Sequence, residues 1–428
     1  MVDLLRLRSA GVGTSVVRDV FDRVDRPWEL GWEQCRDVFD ANGGPFSYDL
    51  AGPLARAGWD SVDVIHDLEP LQAAWVREHG PLPAADTDRQ ALALAAIERF
   101  RPRVVLDLNL KVFTAREMDA LRRRFPFIER TVGQVNTMKR LDRLFGHDLI
   151  LTPSRGLARL VARAGGPPTR PFHHAFDPRH AAGGTTRTRD TAVFTGSTGR
   201  GRYAERTRVL ATLLEAGLVE AWIDEGKADT FPTIPRGIAR FRSRTGIADL
   251  IPLATHARLA RRTGRGAMTL DARLRGDASL VAAGQPGDAT YPYVGLRAAF
   301  PDACHGPVFG ADMFALLASA RTAVHHTIET STTALRHFEV TGMGAALVTN
   351  HIDGLDDVFD VGTEILAYRS PAEAVEMVRW LTDDVDAAAR IGAAGQRRTL
   401  TDHTVDARGA ELADVLAALL DAPSAAGR

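Results

Sequence analysis

Lysine is almost absent from this chain: Lys111, Lys139 and Lys227 are the three lysines among 53 basic residues. That skew, with abundant alanine, fits a GC-rich coding sequence better than arginine-specific chemistry. Cysteine is scarcer still. Cys35 and Cys304 lie far apart and in no metal-ligand spacing, which excludes a cysteine-built metal site and makes a reducing compartment the expectation. A net charge of -1 gives no global attraction to nucleic acid or to an anionic membrane, although a local basic groove stays open. Apolar runs are all too short to span a bilayer, and the opening MVDLLRLRSAG is too short and too charged for a signal peptide, so a cytoplasmic protein without a membrane span is expected. There is no repeat of fixed period, which excludes a solenoid, and no GxSxG elbow or Cys/His nucleophile arrangement.

What is present is a globular composition, 45% hydrophobic and 25% charged, over 428 residues, too many for one ordinary core. After an opening in which SAGVGTS and NGGPFS read as loops, short apolar strands at 62–66, 103–108, 130–135 and 149–152 alternate with helical spacing at 91–100, 114–125 and 156–164. Thr114 and Ser154 are the expected helix starts. Strands alternating with helices imply a parallel sheet covered on both faces. The polar stretch RHAAGGTTRTRD, 179–190, reads as a linker, and a second alternating series follows it. Its strands fall at 191–195, 219–223, up to Val324, 345–349 and 364–368, with helices at 203–216, 311–319, 371–381 and 406–420. The expected fold is therefore α/β, with two doubly wound, Rossmann-like parallel-sheet domains facing across a cleft. Their limits are 1–180 and 191–405 around a linker at 181–190, with an inserted segment at 226–290 and a C-terminal helix, 406–428, that packs back on the first domain.

Three places could carry chemistry. TGSTGRGR, 195–202, follows a strand and opens a helix, the context of a phosphate-cradling turn. Gly196 and Ser197 lie in that turn, and Arg200, Arg202 and Arg206 could clamp a diphosphate. RTAVHHTIETSTTALRHFEVTGMGAALVTN, 321–350, reads as strand, helix N-terminus, helix, glycine turn and strand. Ser331, Thr332 and Thr333 are expected as N-cap residues whose N–H groups face the crevice, with Arg336 and the carboxylate Glu339 further along the helix. His325 and His326 end the preceding strand, one pointing into the core and the other toward the crevice. They form no metal cluster with other ligand residues. In the first domain the strand ends offer His66, Asp67, Asp107, Asn109, Gln134 and Asn136, while His173 and His174 suit hinge packing.

From Val308 onward, GPVFGADMFALLASARTAVHHTIE, LRHFEVTGMGAALVTNHIDGLDDVF, GTEILAYRSPAEAVEMVRWL and AAGQRRTLTDHT resemble the CgeB-like (spore-maturation-type) glycosyltransferases, a branch of the two-domain GT-B enzymes. Weaker similarity runs through TAVFTGSTG, DLILTPS, PFHHAFDP and EPLQAAWVREHG. The resemblance implies a hexosyltransferase-type enzyme whose second domain holds a nucleotide-sugar, UDP- or another NDP-activated, and whose first domain holds a small-molecule, glycan or protein acceptor. It places Glu339 on the nucleotide ribose and Gly196, with Arg200 or Arg202, over the diphosphate. Retaining relatives carry a further Glu where this chain has Ser331, with Glu329 two residues out of register, so the stereochemical outcome stays open. Of the strand-end set, Asp107 with His325 and His326 is the catalytic expectation, and His66, Gln134 and Asn136 the acceptor side. The one DxD spacing in the donor half, Asp384 with Asp386, follows a helix, so catalysis without a metal or other cofactor is expected. The basic pieces GIARFRSRTG and HARLARRTGRG within 226–290 read as solvated faces of an inserted subdomain, an acceptor-binding or oligomer-contact role being the alternative. A homodimer is compatible with this picture, and a non-catalytic nucleotide-sugar-binding or regulatory protein of the same fold is the alternative to an enzyme.

Overall fold

The computed structural model describes residues 1–10, 20–41, 50–85, 87–136, 141–181, 187–199, 203–225, 295–328 and 332–423. The segment 226–290, Arg200, Arg202, Glu329 and Ser331 lie outside the described residues.

Two six-stranded parallel sheets form the frame. The first contains β1 (Leu4–Arg8), β2 (Ser61–Ile65), β3 (Val104–Leu108), β4 (Arg130–Gln134), β5 (Leu149–Leu151) and β6 (Thr169–Arg170), in the order β2-β1-β3-β4-β5-β6. The second contains β7 (Ala192–Ser197), β8 (Val219–Asp224), β9 (Cys304–His305), β10 (Thr322–His325), β11 (Ala346–Asn350) and β12 (Leu366–Tyr368), in the order β12-β11-β10-β7-β8-β9. The direction in which successive strands are laid across it reverses between β7 and β10; in the first sheet the reversal lies between β1 and β3. Doubly wound sheets bind ligands at these reversals, above the carboxyl ends of the strands. Strands such as VVLDL and ALVTN are buried along their full length because helices cover both faces.

The caps at Thr114 and Ser154 form as the residue types require. Thr114 Oγ1 accepts from the Glu117 N–H while Glu117 returns a bond to the Thr114 N–H, and Ser154 Oγ accepts from the Leu157 N–H. Other boundaries differ from expectation. The helix after β10 runs Leu335–Gly342 from Ala334, because the imidazole of His337 accepts the Ala334 N–H at 3.0 Å and does the capping. A helix at Val385–Asp402 was not anticipated; Asp384 is its N-cap, with Oδ1 on the Ala387 N–H at 2.8 Å. β1 was not among the expected strands, since Arg6 and Arg8 break its apolar run.

The chain passes between the domains twice, side by side. The Phe176 N–H donates to the His403 carbonyl at 2.8 Å, and the Val405 N–H to the Phe176 carbonyl at 3.0 Å. Beyond that point the helix Val405–Asp421 buries Leu412, Ala413 and Leu416 among Leu4, Leu54 and Leu106 of the first domain. Gly342 lies under this crossing: a β-carbon there would meet the Phe176 ring at 2.5 Å. Gly342→Ala should therefore destabilise the protein by about 1–3 kcal/mol, as overpacking does. Calorimetric unfolding checks this; an unchanged melting temperature would mean that the ring yields freely.

Candidate functional site

At the reversal of the second sheet, β7 runs into a turn in which Gly196 and Gly199 hold φ of 155° and 136°, a region costly for residues with a β-carbon. Arg206, from the helix Ala204–Glu215, closes this floor: its Nε donates to the His326 carbonyl at 2.6 Å and Nη1 to the Ser197 carbonyl at 3.0 Å. A buried guanidinium thus ties the ends of β7 and β10 together beneath the crevice.

His325 is 5% exposed, and neither ring nitrogen has a hydrogen-bond partner; its ring meets the His337 ring edge-on at 5.2 Å. Burial, assisted by His337 and Arg206, lowers its pKa well below the usual range. The His326 ring pairs through Nδ1 with the Tyr368 hydroxyl at 3.0 Å, and burial ahead of Arg206 and Arg208 pushes its pKa down to about 3. Both imidazoles are neutral at pH 7, so neither serves as a cation there. His337, which the sequence did not single out, caps the helix Leu335–Gly342 through Nδ1 and bonds Thr349 of β11 through Nε2 at 3.2 Å. It thereby fixes the helix start at the crevice.

Thr332 and Thr333 precede that start and are buried, and one turn in, Glu339 is buried against Arg336, Nη1 to Oε2 2.7 Å. Burial raises the Glu339 pKa and Arg336 opposes the rise. From the first domain, His173 Nδ1 reaches Thr333 Oγ1 at 3.3 Å, and the Asn136 amide lies 2.7 Å from His174 Nε2. Of the two histidines expected at a hinge, His173 therefore faces the helix N-terminus and His174 pairs with Asn136 of its own domain. Their position after β6, at the carboxyl end of the first sheet, is the signal that could have found them.

Asp107 and His66 stand elsewhere. Asp107 is fully buried and its carboxylate accepts from the N–H groups of Lys111, Val112 and Phe113, which folds the loop after β3. Burial pushes its pKa up to about 7 against those donors. That loop holds Asn109 and Leu110 at φ of 66° and 51°, strain of about 1–3 kcal/mol each that the Asp107 bonds help to hold. His66 is wholly buried with both ring nitrogens unpartnered, and burial pushes its pKa down to about 4. Strand spacing of about 4.8 Å puts its β2 end about 14 Å from that of β4. Gln134 is buried at the end of β4, and its carbonyl accepts from the Asn109 N–H at 2.7 Å.

Residues 233–414 match the family described as glycosyl transferase-like. The match covers less than half of the chain, and the fold is the two-sheet GT-B architecture of the solved structures on which the chain superposes. The chain superposes over 99% of its length on all of the sucrose-phosphate synthase of Thermosynechococcus elongatus, with TM-score 0.55 and 10% identity. It superposes over 98% of its length on all of Anabaena HepE, solved with UDP-glucose, with TM-score 0.54 and 12% identity. AviGT4, a glycosyltransferase of avilamycin A biosynthesis, matches over 99% of both chains with TM-score 0.53 and 12% identity. No curated protein sequence matches. Among the described residues no helix is long and apolar enough to cross a membrane.

Proposed function

We propose that the chain transfers a sugar from a nucleotide donor, UDP-activated, to an acceptor hydroxyl presented by the first domain, in the manner of the CgeB-like branch. The observation that carries this reading is the helix Leu335–Gly342, which opens beside the β7–β10 reversal and carries the buried carboxylate Glu339 one turn in. Breaking the anomeric C–O bond leaves growing negative charge on the departing diphosphate. The N–H groups at the helix start and the positive end of its dipole answer that charge, with Gly196 allowing close approach from below. Arg200 and Arg202 are proposed as the diphosphate clamp, and Ser331 joins Thr332 and Thr333 around it. Glu339 accepts from the ribose hydroxyls, and Arg336 keeps it ionised in its buried position. His325 and His326, neutral imidazoles beside the crevice, line the donor sugar without adding charge. Gln134 and Asn136 are the proposed acceptor side, Asn136 being already positioned by His174. A metal-independent reaction is proposed because helix N–H groups and guanidinium groups supply the countercharge, while Asp384 of the DxD spacing is occupied as a helix cap. HepE, with the same fold, was solved with UDP-glucose, which supports the choice of base.

Thermal shifts with UDP, GDP, TDP, CDP and NADH check the donor. A ligand at a hundred times its Kd stabilises by about 2.7 kcal/mol. A selective rise with UDP is expected; a rise with NADH alone would contradict the transferase reading.

A further inference from the structure

Two threonines lead into the helix Leu335–Gly342, and their hydroxyls are used differently. Thr332 Oγ1 donates to the Thr333 carbonyl at 3.2 Å, so its proton is spent within the turn. Thr333 Oγ1 instead meets Nδ1 of His173 at 3.3 Å, an imidazole that comes from the other domain. A hydroxyl has one proton to give and two lone pairs to accept with. If the ring nitrogen accepts, Thr333 keeps no proton for a ligand; if the ring nitrogen donates, that proton stays available beside the helix start.

His173 is held in place by the chain on both sides of it. Phe172 and Ala175 pack in the first domain's core with Leu106 and Leu151, whereas Phe176 packs in the second domain's core with Phe314 and Val340. Phe176 is also pinned to the returning chain through its backbone bonds with His403 and Val405. Next to His173, the His174 ring is 5% exposed, and its Nε2 accepts from the Asn136 amide at 2.7 Å. One ring of the dipeptide is thus tied beyond the end of β4 and the other to the start of the helix that carries Glu339. Burial, ahead of Arg408, His403 and Arg155, pushes the His173 pKa down to about 4, so at pH 7 the ring is neutral and has a single N–H to give.

We propose that His173 is a positioning residue of the donor site: its Nδ1–H donates to Thr333 Oγ1 and leaves the Thr333 proton for an oxygen of the diphosphate. This rests on the transferase reading above, and it adds to that reading a contribution of the first domain to donor binding. The N–H, the hydroxyl and the phosphate form a chain in which each bond polarises the next, and a charged acceptor at its end strengthens it further. The donor site is complete only where the two domains meet at this crossing. Because the chain ends on phosphate, it acts on the diphosphate and not on the base or the ribose.

Binding of UDP and of uridine to the full-length protein is measured by calorimetry and by competition. His173→Ala is expected to weaken UDP about tenfold, the scale of one hydrogen bond to a charged group, and to leave uridine, which has no phosphate, unchanged. His173→Asn, whose amide nitrogen falls near the position of Nδ1, is expected to restore most of the loss. Thr333→Val keeps the shape and drops the hydroxyl. It is expected to match His173→Ala, and the double variant to lose no more than either one, as residues acting through a single bond do. Thr333→Val also reads the bond by itself should His173→Ala not fold. Equal weakening of UDP and uridine, native UDP affinity in His173→Ala, or losses that add in the double variant overturn the assignment, while native UDP binding still upholds the transferase reading. A native protein that binds no UDP overturns both.

Discussion

Asp63→Ala should destabilise the protein by about 3–5 kcal/mol, the cost of removing one partner from a buried ion pair. Asp63 of β2 is 1% exposed and its Oδ2 receives Arg6 Nη1 at 2.9 Å and Arg8 Nη1 at 2.8 Å, both from β1. Arg8 also pairs with Asp40 through Nη2 at 2.8 Å. Burial alone would lower the Arg8 pKa, yet Asp40 and Asp63 outweigh it and raise it, so the guanidinium stays charged inside the fold. Alanine at 63 would leave Arg6 without this partner and Arg8 with Asp40 alone. Denaturant unfolding of the variant measures the loss. A companion in which Arg6, Arg8 and Asp63 become apolar residues of similar volume and Asp40 becomes Asn should recover much of it, because none of these four positions then carries a charge. A loss below about 1 kcal/mol for Asp63→Ala, the range of exposed pairs, would mean that water reaches the pair.

Glu339→Ala should weaken UDP binding by about 1.5–3 kcal/mol, the worth of hydrogen bonds to a charged acceptor. The carboxylate is buried, so burial raises its pKa and Arg336, 2.7 Å away, opposes that rise. The ionised form that accepts ribose hydroxyls is present above the Glu339 pKa and lost as pH falls through it. Arg336→Met should therefore carry that loss of affinity to higher pH, while Glu339→Gln, which still offers one acceptor oxygen, should fall between native and alanine. Calorimetric titration of UDP at several pH values reads all three. Native affinity in Glu339→Ala would remove this carboxylate from the ribose.

The alternation of short apolar strands with helical spacing made both sheets legible in the sequence, because strands buried on both faces must be nearly continuous in apolar residues. β1 escaped that rule. LLRLR carries two arginines on one face, and they are buried only because Asp63 and Asp40, distant in sequence, neutralise them. The helix Val385–Asp402 was missed since its start depends on one cap, Asp384, which read instead as half of a metal-type spacing. At the site, the glycine turn at Gly196 and the carboxylate Glu339 were legible as residue types in the right order along the chain. The roles of His337 and His173 were not, because each is defined by a partner on another element: Thr349 of β11 for His337 and Thr333 for His173. Pattern along the chain finds strand ends, whereas only the assembled sheets show which ends meet.

The most direct measurement is the position of UDP bound to the full-length chain, by crystallography. The ribose hydroxyls should lie within hydrogen-bond distance of the Glu339 carboxylate, with the diphosphate over Gly196 and beside Thr332 and Thr333. UDP seated at the reversal of the first sheet, or with its ribose turned away from Glu339, would contradict the assignment of the donor site.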